Sequence, residues 1–153
     1  MPLPLELTPG QASVWFGQAA RPGSGAYQCA ELLTFDSPPD IALLSETIST
    51  CLGQIEVLQS VFTTDDSGTP VMAPRPHTYE VEETWVPEDA DVIEWCTRQI
   101  SVRCSGDLSG DLLSGHSIVH LPGRQVGWLA RFHHIVGDGL SISAIIRWIA
   151  ATY

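Results

Sequence analysis

The residues best suited to chemistry stand together in His133-His134-Ile135-Val136-Gly137-Asp138-Gly139-Leu140-Ser141, which reads HHxxxDG. The run lies where an apolar stretch, residues 126–132, gives way to a helix-like stretch, residues 140–153. A histidine handed by a strand into a tight turn suits acyl transfer, because imidazole can accept, donate or orient a proton near neutral pH. Adjacent side chains on a strand face opposite ways. One of His133 and His134 is therefore expected in the core and the other toward a channel, and the two cannot easily share a metal or a substrate. His116 and His120 do share a strand face, but no clear third ligand accompanies them, so no metal site is expected. Asp138, in a turn, can accept backbone N–H groups or pair with an arginine, and Gly139 can take a positive φ.

The elements that must hold this run follow from periodicity and punctuation. Thr8 suits an N-cap with Pro9 as the first helical residue, which predicts a helix over 9–20. Residues 26–35 read as a strand. Ile41, Leu44, Ile48 and Leu52 recur at helical spacing and predict a helix ending near Gly53. Residues 57–63 and 70–73 read as strands around the turn Asp65-Asp66-Ser67-Gly68. A strand over 79–86 follows, then a helix opening at Pro87 whose first turn is acidic. Residues 105–114 form a polar loop, and 117–121 and 125–133 a hairpin about Pro122-Gly123. Ile142, Ile145, Ile146 and Ile149 mark one face of a last helix over 141–153. Strands and helices are interspersed, so the fold class is α/β: a two-layer sandwich of helices on a mixed sheet.

A chain of 153 residues, 44% of them hydrophobic, suits one globular domain with a real core. No apolar run approaches the ~20 residues of a membrane helix, and the start has no basic region of a secretory signal. A cytoplasmic protein with no membrane association is expected. The net charge is −11, and all seven basic residues are Arg. That acidity argues against nucleic acid, whose phosphates it would repel. Cys29, Cys51, Cys96 and Cys104 form no C-x-x-C pair and are expected to be reduced thiols.

With these pieces in order, the chain resembles the condensation domains of non-ribosomal peptide synthetases, within the chloramphenicol-acetyltransferase-like superfamily. The resemblance runs through the whole chain. Leu7-Thr8-Pro9-Gly10-Gln11 through Trp15-Phe16 is similar to an opening LTxxQxxxWF, and Gln54 to Phe62 sits where the family has a segment like RHExLRTxF. Asp107-Leu108 and Asp111-Leu112 resemble its approach to the final hairpin. Trp128 through Ser141 carries the signature HHxxxDGxS, with an Arg131-Phe132 prefix most like domains of the enterobactin-synthetase kind.

The resemblance implies amide formation between an acyl or peptidyl donor thioester and an aminoacyl acceptor thioester. It implies substrates carried on phosphopantetheine arms of carrier proteins, no directly bound cofactor, and no assigned cofactor-binding residues. It gives His134 the catalytic role, as proton acceptor or as the group that orients the amine. Gly139 would offer a backbone N–H to the developing oxyanion, with His133 and Asp138 as supports. Where the family carries arginines in its second motif, this chain has Gln54 and Gln59. One such arginine pairs with the signature aspartate, so Asp138 is expected to be held instead by Gln59 or by Arg131.

The resemblance also assigns residues 1–153 to an N-terminal lobe, with the C-terminal lobe and adjacent synthetase domains absent from the chain. The isolated lobe is accordingly expected to be inactive, and to expose apolar surface where the second lobe would dock. Other readings remain beside this one: an epimerisation or ester-forming relative, a coenzyme A-dependent acyltransferase, or a degenerate module that docks carrier proteins or enzymes.

Overall fold

The computed structural model describes residues 4–102, 107–110 and 112–153. A two-residue strand, β1 (Leu5–Glu6), leads into α1 (Pro9–Ala20). Thr8 caps α1 reciprocally with Gln11: the Gln11 N–H donates to Thr8 Oγ1 at 3.3 Å, and the Thr8 N–H to Gln11 Oε1 at 3.0 Å. After a short 3₁₀ turn comes β2 (Gln28–Thr34), then α2 (Ile41–Gly53), whose cap Asp40 accepts the Leu43 N–H at 3.1 Å. The strand expected from residue 57 starts later. Glu56–Gln59 form a 3₁₀ turn, and only Ser60–Thr64 are β3. The hairpin to β4 (Pro70–Pro74) is closed by Asp65 Oδ1, which accepts the Ser67 and Thr69 N–H groups, each at 2.9 Å.

β5 (Val81–Trp85) precedes α3 (Val92–Val102). This helix does not open at Pro87 as expected. Residues 87–90 turn back on themselves, and the cap is Asp91, which accepts the Glu94 N–H at 2.8 Å. β6 (Ser114–Leu121) and β7 (Gln125–His133) follow, joined through Pro122–Arg124 with Gly123 at φ 72°. The chain closes with α4 (Gly139–Thr152). The polar loop expected over 105–114 falls partly outside the described residues, as do Cys104 and Asp111; Ser114 already belongs to β6.

The central sheet runs β2-β7-β6-β5, antiparallel except for the parallel pair β5/β6, so it is mixed as expected. The β3/β4 hairpin joins β1 in a separate small antiparallel sheet. Side-chain alternation on β6 and β7 divides the core between two faces. Ile118, Trp128, Ala130 and Phe132 meet Leu44, Ile48 and Leu52 of α2 and Ile142, Ile146 and Ile149 of α4. Val119, Leu121 and Leu129 turn the other way, onto Trp95 and Cys96 of α3. The helices-on-mixed-sheet class holds, and α3 extends the two-layer picture by covering the second face. Cys29, Cys51 and Cys96 are unpaired thiols, and burial pushes those of Cys29 and Cys96 up, away from reactive thiolate.

Candidate functional site

β7 delivers the motif to the end of the sheet. The His133 N–H donates to Leu113 O at 2.8 Å, and the His134 N–H donates to Tyr27 O at 2.7 Å. The strand is thus held on both sides until it ends, and His134 is the first residue beyond it. His133 is 3% exposed. Its Nδ1 accepts the Ile135 N–H at 3.2 Å. A ring nitrogen that accepts carries no proton, so the neutral ring holds its proton on Nε2, which faces Gln18 Oε1 at 3.5 Å. Burial first, then the charges of His134 and Arg131, pushes His133 down to about 4. It is a neutral, fixed ring that shapes the turn.

His134 has the opposite arrangement. It is exposed, and its Nδ1 lies 2.8 Å from Gly137 O. A carbonyl only accepts, so Nδ1 bears the proton and the lone pair of the neutral ring is on Nε2. His134 lines a cleft of about 380 Å³ with Gly137, Asp138 and Ser141 from the turn and Thr8, Gly10, Gln11 and Val14 from the start of α1. The expected division, one histidine inward and one toward an opening, is what the two environments provide.

Asp138 caps α4. Its Oδ1 accepts the Ser141 N–H at 2.9 Å and the Ser141 hydroxyl at 2.8 Å, and these bonds hold its carboxyl below the usual range. This corrects its expected partner. Gln59 Oε1 instead accepts the His77 N–H at 2.8 Å, and Arg131 lies against Gly115 on the neighbouring strand. The physical reason is local: an aspartate at an N-cap reaches the third amide of its own helix without any long-range partner. Gly139 also differs from expectation. It is the first residue of α4 and is not among the positive-φ glycines of the described residues, which are Gly23, Gly68 and Gly123. Its N–H belongs to the first turn of the helix, where backbone donors lack intrahelical acceptors.

The sequence assigns no role to three further contributors. Ser141 satisfies both functions of the Asp138 cap, a signal readable as Asp-x-x-Ser before an apolar run. Gln18, 2% exposed, sits on the inner face of α1 with Val14 and Trp15; a buried amide at helical spacing was the available signal. Gly137 supplies the carbonyl that fixes His134 and leaves room for Ser141: a Cβ there would stand 2.8 Å from Ser141 Cβ. Gly137→Ala is therefore expected to cost about 1–3 kcal/mol of stability, measured by urea unfolding, because Ser141 is tied to Asp138 and cannot yield cheaply.

A second buried pair has the look of a nucleophile and base but the wrong polarity. Ser114 Oγ and His116 Nε2 are 2.8 Å apart. Trp128 Nε1–H, a donor only, points at His116 Nδ1 at 3.2 Å. The His116 proton is then on Nε2 and is donated to Ser114, so the ring cannot take the serine's proton. Burial, with a smaller contribution from Arg131, pushes His116 down to about 3. Among the described residues no group of three or more His, Cys, Asp or Glu side chains is placed to hold a metal ion, and no helix is long and apolar enough to cross a membrane.

The family profile described as Condensation domain matches residues 4–153. The chain belongs to the condensation domain family. An isonitrile lipopeptide synthase of Streptomyces coeruleorubidus is 28% identical over 152 residues, covering 96% of this chain and 10% of that protein. A dimodular nonribosomal peptide synthase of Bacillus subtilis is 27% identical, covering 99% and 6%. Enterobactin synthase component F of Escherichia coli is 25% identical, covering 97% and 12%. The first condensation domain of the calcium-dependent antibiotic synthetase, solved with a substrate analogue, superimposes with a TM-score of 0.84 at 26% identity, covering 97% of this chain and 37% of that one. Another structure of the first condensation domain of that synthetase gives 0.83 at 26%, covering 100% and 40%. The chain thus has the size of a condensation-domain N-terminal lobe and spans a tenth or so of the curated relatives.

Proposed function

We propose that residues 1–153 form the N-terminal lobe of a condensation domain that joins a carrier-bound acyl or peptidyl thioester to a carrier-bound aminoacyl thioester through an amide. The observation that carries this reading is the bare Nε2 of His134 on a ring whose Nδ1–H is tied to Gly137 O, beside an open cleft. The acceptor α-amine attacks the donor thioester carbonyl, the C–N bond forms, and the C–S bond breaks. The amine gives up a proton, which His134 Nε2 can accept, and the departing thiolate takes one up. An amine that arrives neutral needs only to be aligned by the same nitrogen. The Gly139 N–H, at the positive end of α4, is the nearby candidate donor for the oxyanion. Thioester aminolysis is already downhill, so positioning two tethered substrates does much of the work. His133 and Asp138 support the turn, and Arg131 and Gln59 support the surrounding sheet and hairpin.

The test joins this lobe to a C-terminal lobe of the family and supplies donor and acceptor carriers loaded through phosphopantetheine. Amide is the expected product. Ester or an epimerised donor would favour the corresponding relatives, amide from free coenzyme A thioesters the acyltransferase reading, and carrier binding without product a docking module. The 153 residues alone present His134 on an exposed wall, and no amide above background is expected from them. Robust amide formation by the isolated chain, abolished in His134→Ala, would overturn that expectation.

A further inference from the structure

We infer that Gln18 is a positioning residue for His134, acting through His133 and the turn that separates them. It is buried within α1, ten residues along from the helix-opening Thr8 and outside the cleft. Each link in the connection has a single allowed direction. Gln18 Nε2 donates to Arg21 O at 3.4 Å, which turns Oε1 toward His133. Oε1 faces His133 Nε2 at 3.5 Å and can only accept. With the proton held on Nε2, Nδ1 is bare and accepts the Ile135 N–H at 3.2 Å. The Val136 N–H closes onto His133 O at 3.1 Å. The turn so formed presents Gly137 O to His134 Nδ1 at 2.8 Å.

Removing the Gln18 acceptor lets the His133 proton move to Nδ1, where it would confront the Ile135 N–H donor to donor. The turn must then open, and Gly137 O is no longer delivered to His134. Gln18 is itself fixed at its backbone, since the Arg21 N–H donates to Gln18 O at 3.0 Å at the end of α1. Among the described residues, the titratable and charged groups facing His133 are Arg131 two residues earlier on β7, His134 beside it, and Tyr27 ahead of β2, whose ring centre is 6.2 Å away.

The inference rests on His134 being the reacting histidine, but its test needs no substrate. Long-range proton–nitrogen spectra of the 153-residue chain should show His133 protonated on Nε2 and His134 on Nδ1. Gln18→Leu should mix the His133 tautomers, mix those of His134, and raise amide exchange at Ile135 by about tenfold or more. Gln18→Glu keeps an acceptor, so it should keep both tautomers while moving the His133 titration to higher pH. A folded Gln18→Leu chain with unchanged histidine spectra would overturn the inference. If Gln18→Leu does not fold, Gln18→Glu decides: a His133 titration that stays in place overturns it, and one that rises supports it. Failure of the loaded domain to form amide would strike the proposed function and leave these readouts intact.

Discussion

Replacing His134 with alanine is expected to lower the rate of amide formation in a two-lobe domain by about 10²–10⁴-fold, the usual range for a positioned acid or base. Stability should change little, by about 1 kcal/mol or less, because the side chain is exposed and loses one hydrogen bond. The size of the rate effect follows from the fixed tautomer. Nδ1 is committed to Gly137 O, so the neutral ring presents its Nε2 lone pair to the substrate without a competing tautomer. His134→Gln separates the two roles open to that nitrogen. An amide side chain can hydrogen-bond the amine but cannot take its proton. If His134 acts as a base, Gln should be as damaging as Ala; if it orients the amine, Gln should retain part of the rate. Single-turnover amide formation from preloaded carriers, followed with circular dichroism as a folding control, distinguishes these outcomes. A loss smaller than about tenfold in His134→Ala would remove the histidine from the chemistry.

The same residues show what a sequence can and cannot reveal. α1 and the end of α2 are legible because they carry local signals: Thr8 with Pro9, and an apolar stripe that stops at Gly53. Alternation along β7 separated His133 from His134 correctly, since strand geometry requires it. Where partners are distant, local pattern was insufficient. Nothing around Gln59 indicates that His77, eighteen residues on, will use its carbonyl. Nor does the Arg131 position declare that Gly115 leaves space for a guanidinium on the adjoining strand. For Asp138 the sequence offers two readings, backbone N–H groups of its own turn or a distant partner in Gln59 or Arg131, and the local one wins because the helix cap three residues away suffices. The onset of α3 slipped because acidic residues at 88, 89 and 91 offer competing caps, and only Asp91 precedes the buried pair Trp95-Cys96 at the right distance.

The two buried histidines should make the fold sensitive to mild acid. In the unfolded chain each titrates near the ordinary value of 6.5; in the folded chain burial holds His133 down at about 4 and His116 at about 3. Below pH 6.5 the unfolded state therefore binds protons that the folded state refuses, and unfolding becomes more favourable by up to about 1.4 kcal/mol per pH unit for each ring. The stability is fully present above the unfolded value and is lost as pH falls toward the folded ones. Asp65, Asp107 and Asp138 also lose stabilising bonds in acid, but their carboxyls are held below 3.8, so their contribution disappears only at lower pH. The window from about pH 6.5 to about pH 4.5 thus isolates the histidines, and a loss of about 3–5 kcal/mol across it would take much of the 5–15 kcal/mol typical of a domain. Urea unfolding at several pH values measures it. His116→Gln is the informative variant: its amide can accept from Trp128 Nε1–H and donate to Ser114 Oγ without titrating, so it should remove about half of the pH slope while preserving the fold. A wild-type slope already flat in this window would mean that the buried rings are reached by protons as easily in the folded chain as in the unfolded one, which the Trp128–His116–Ser114 arrangement forbids.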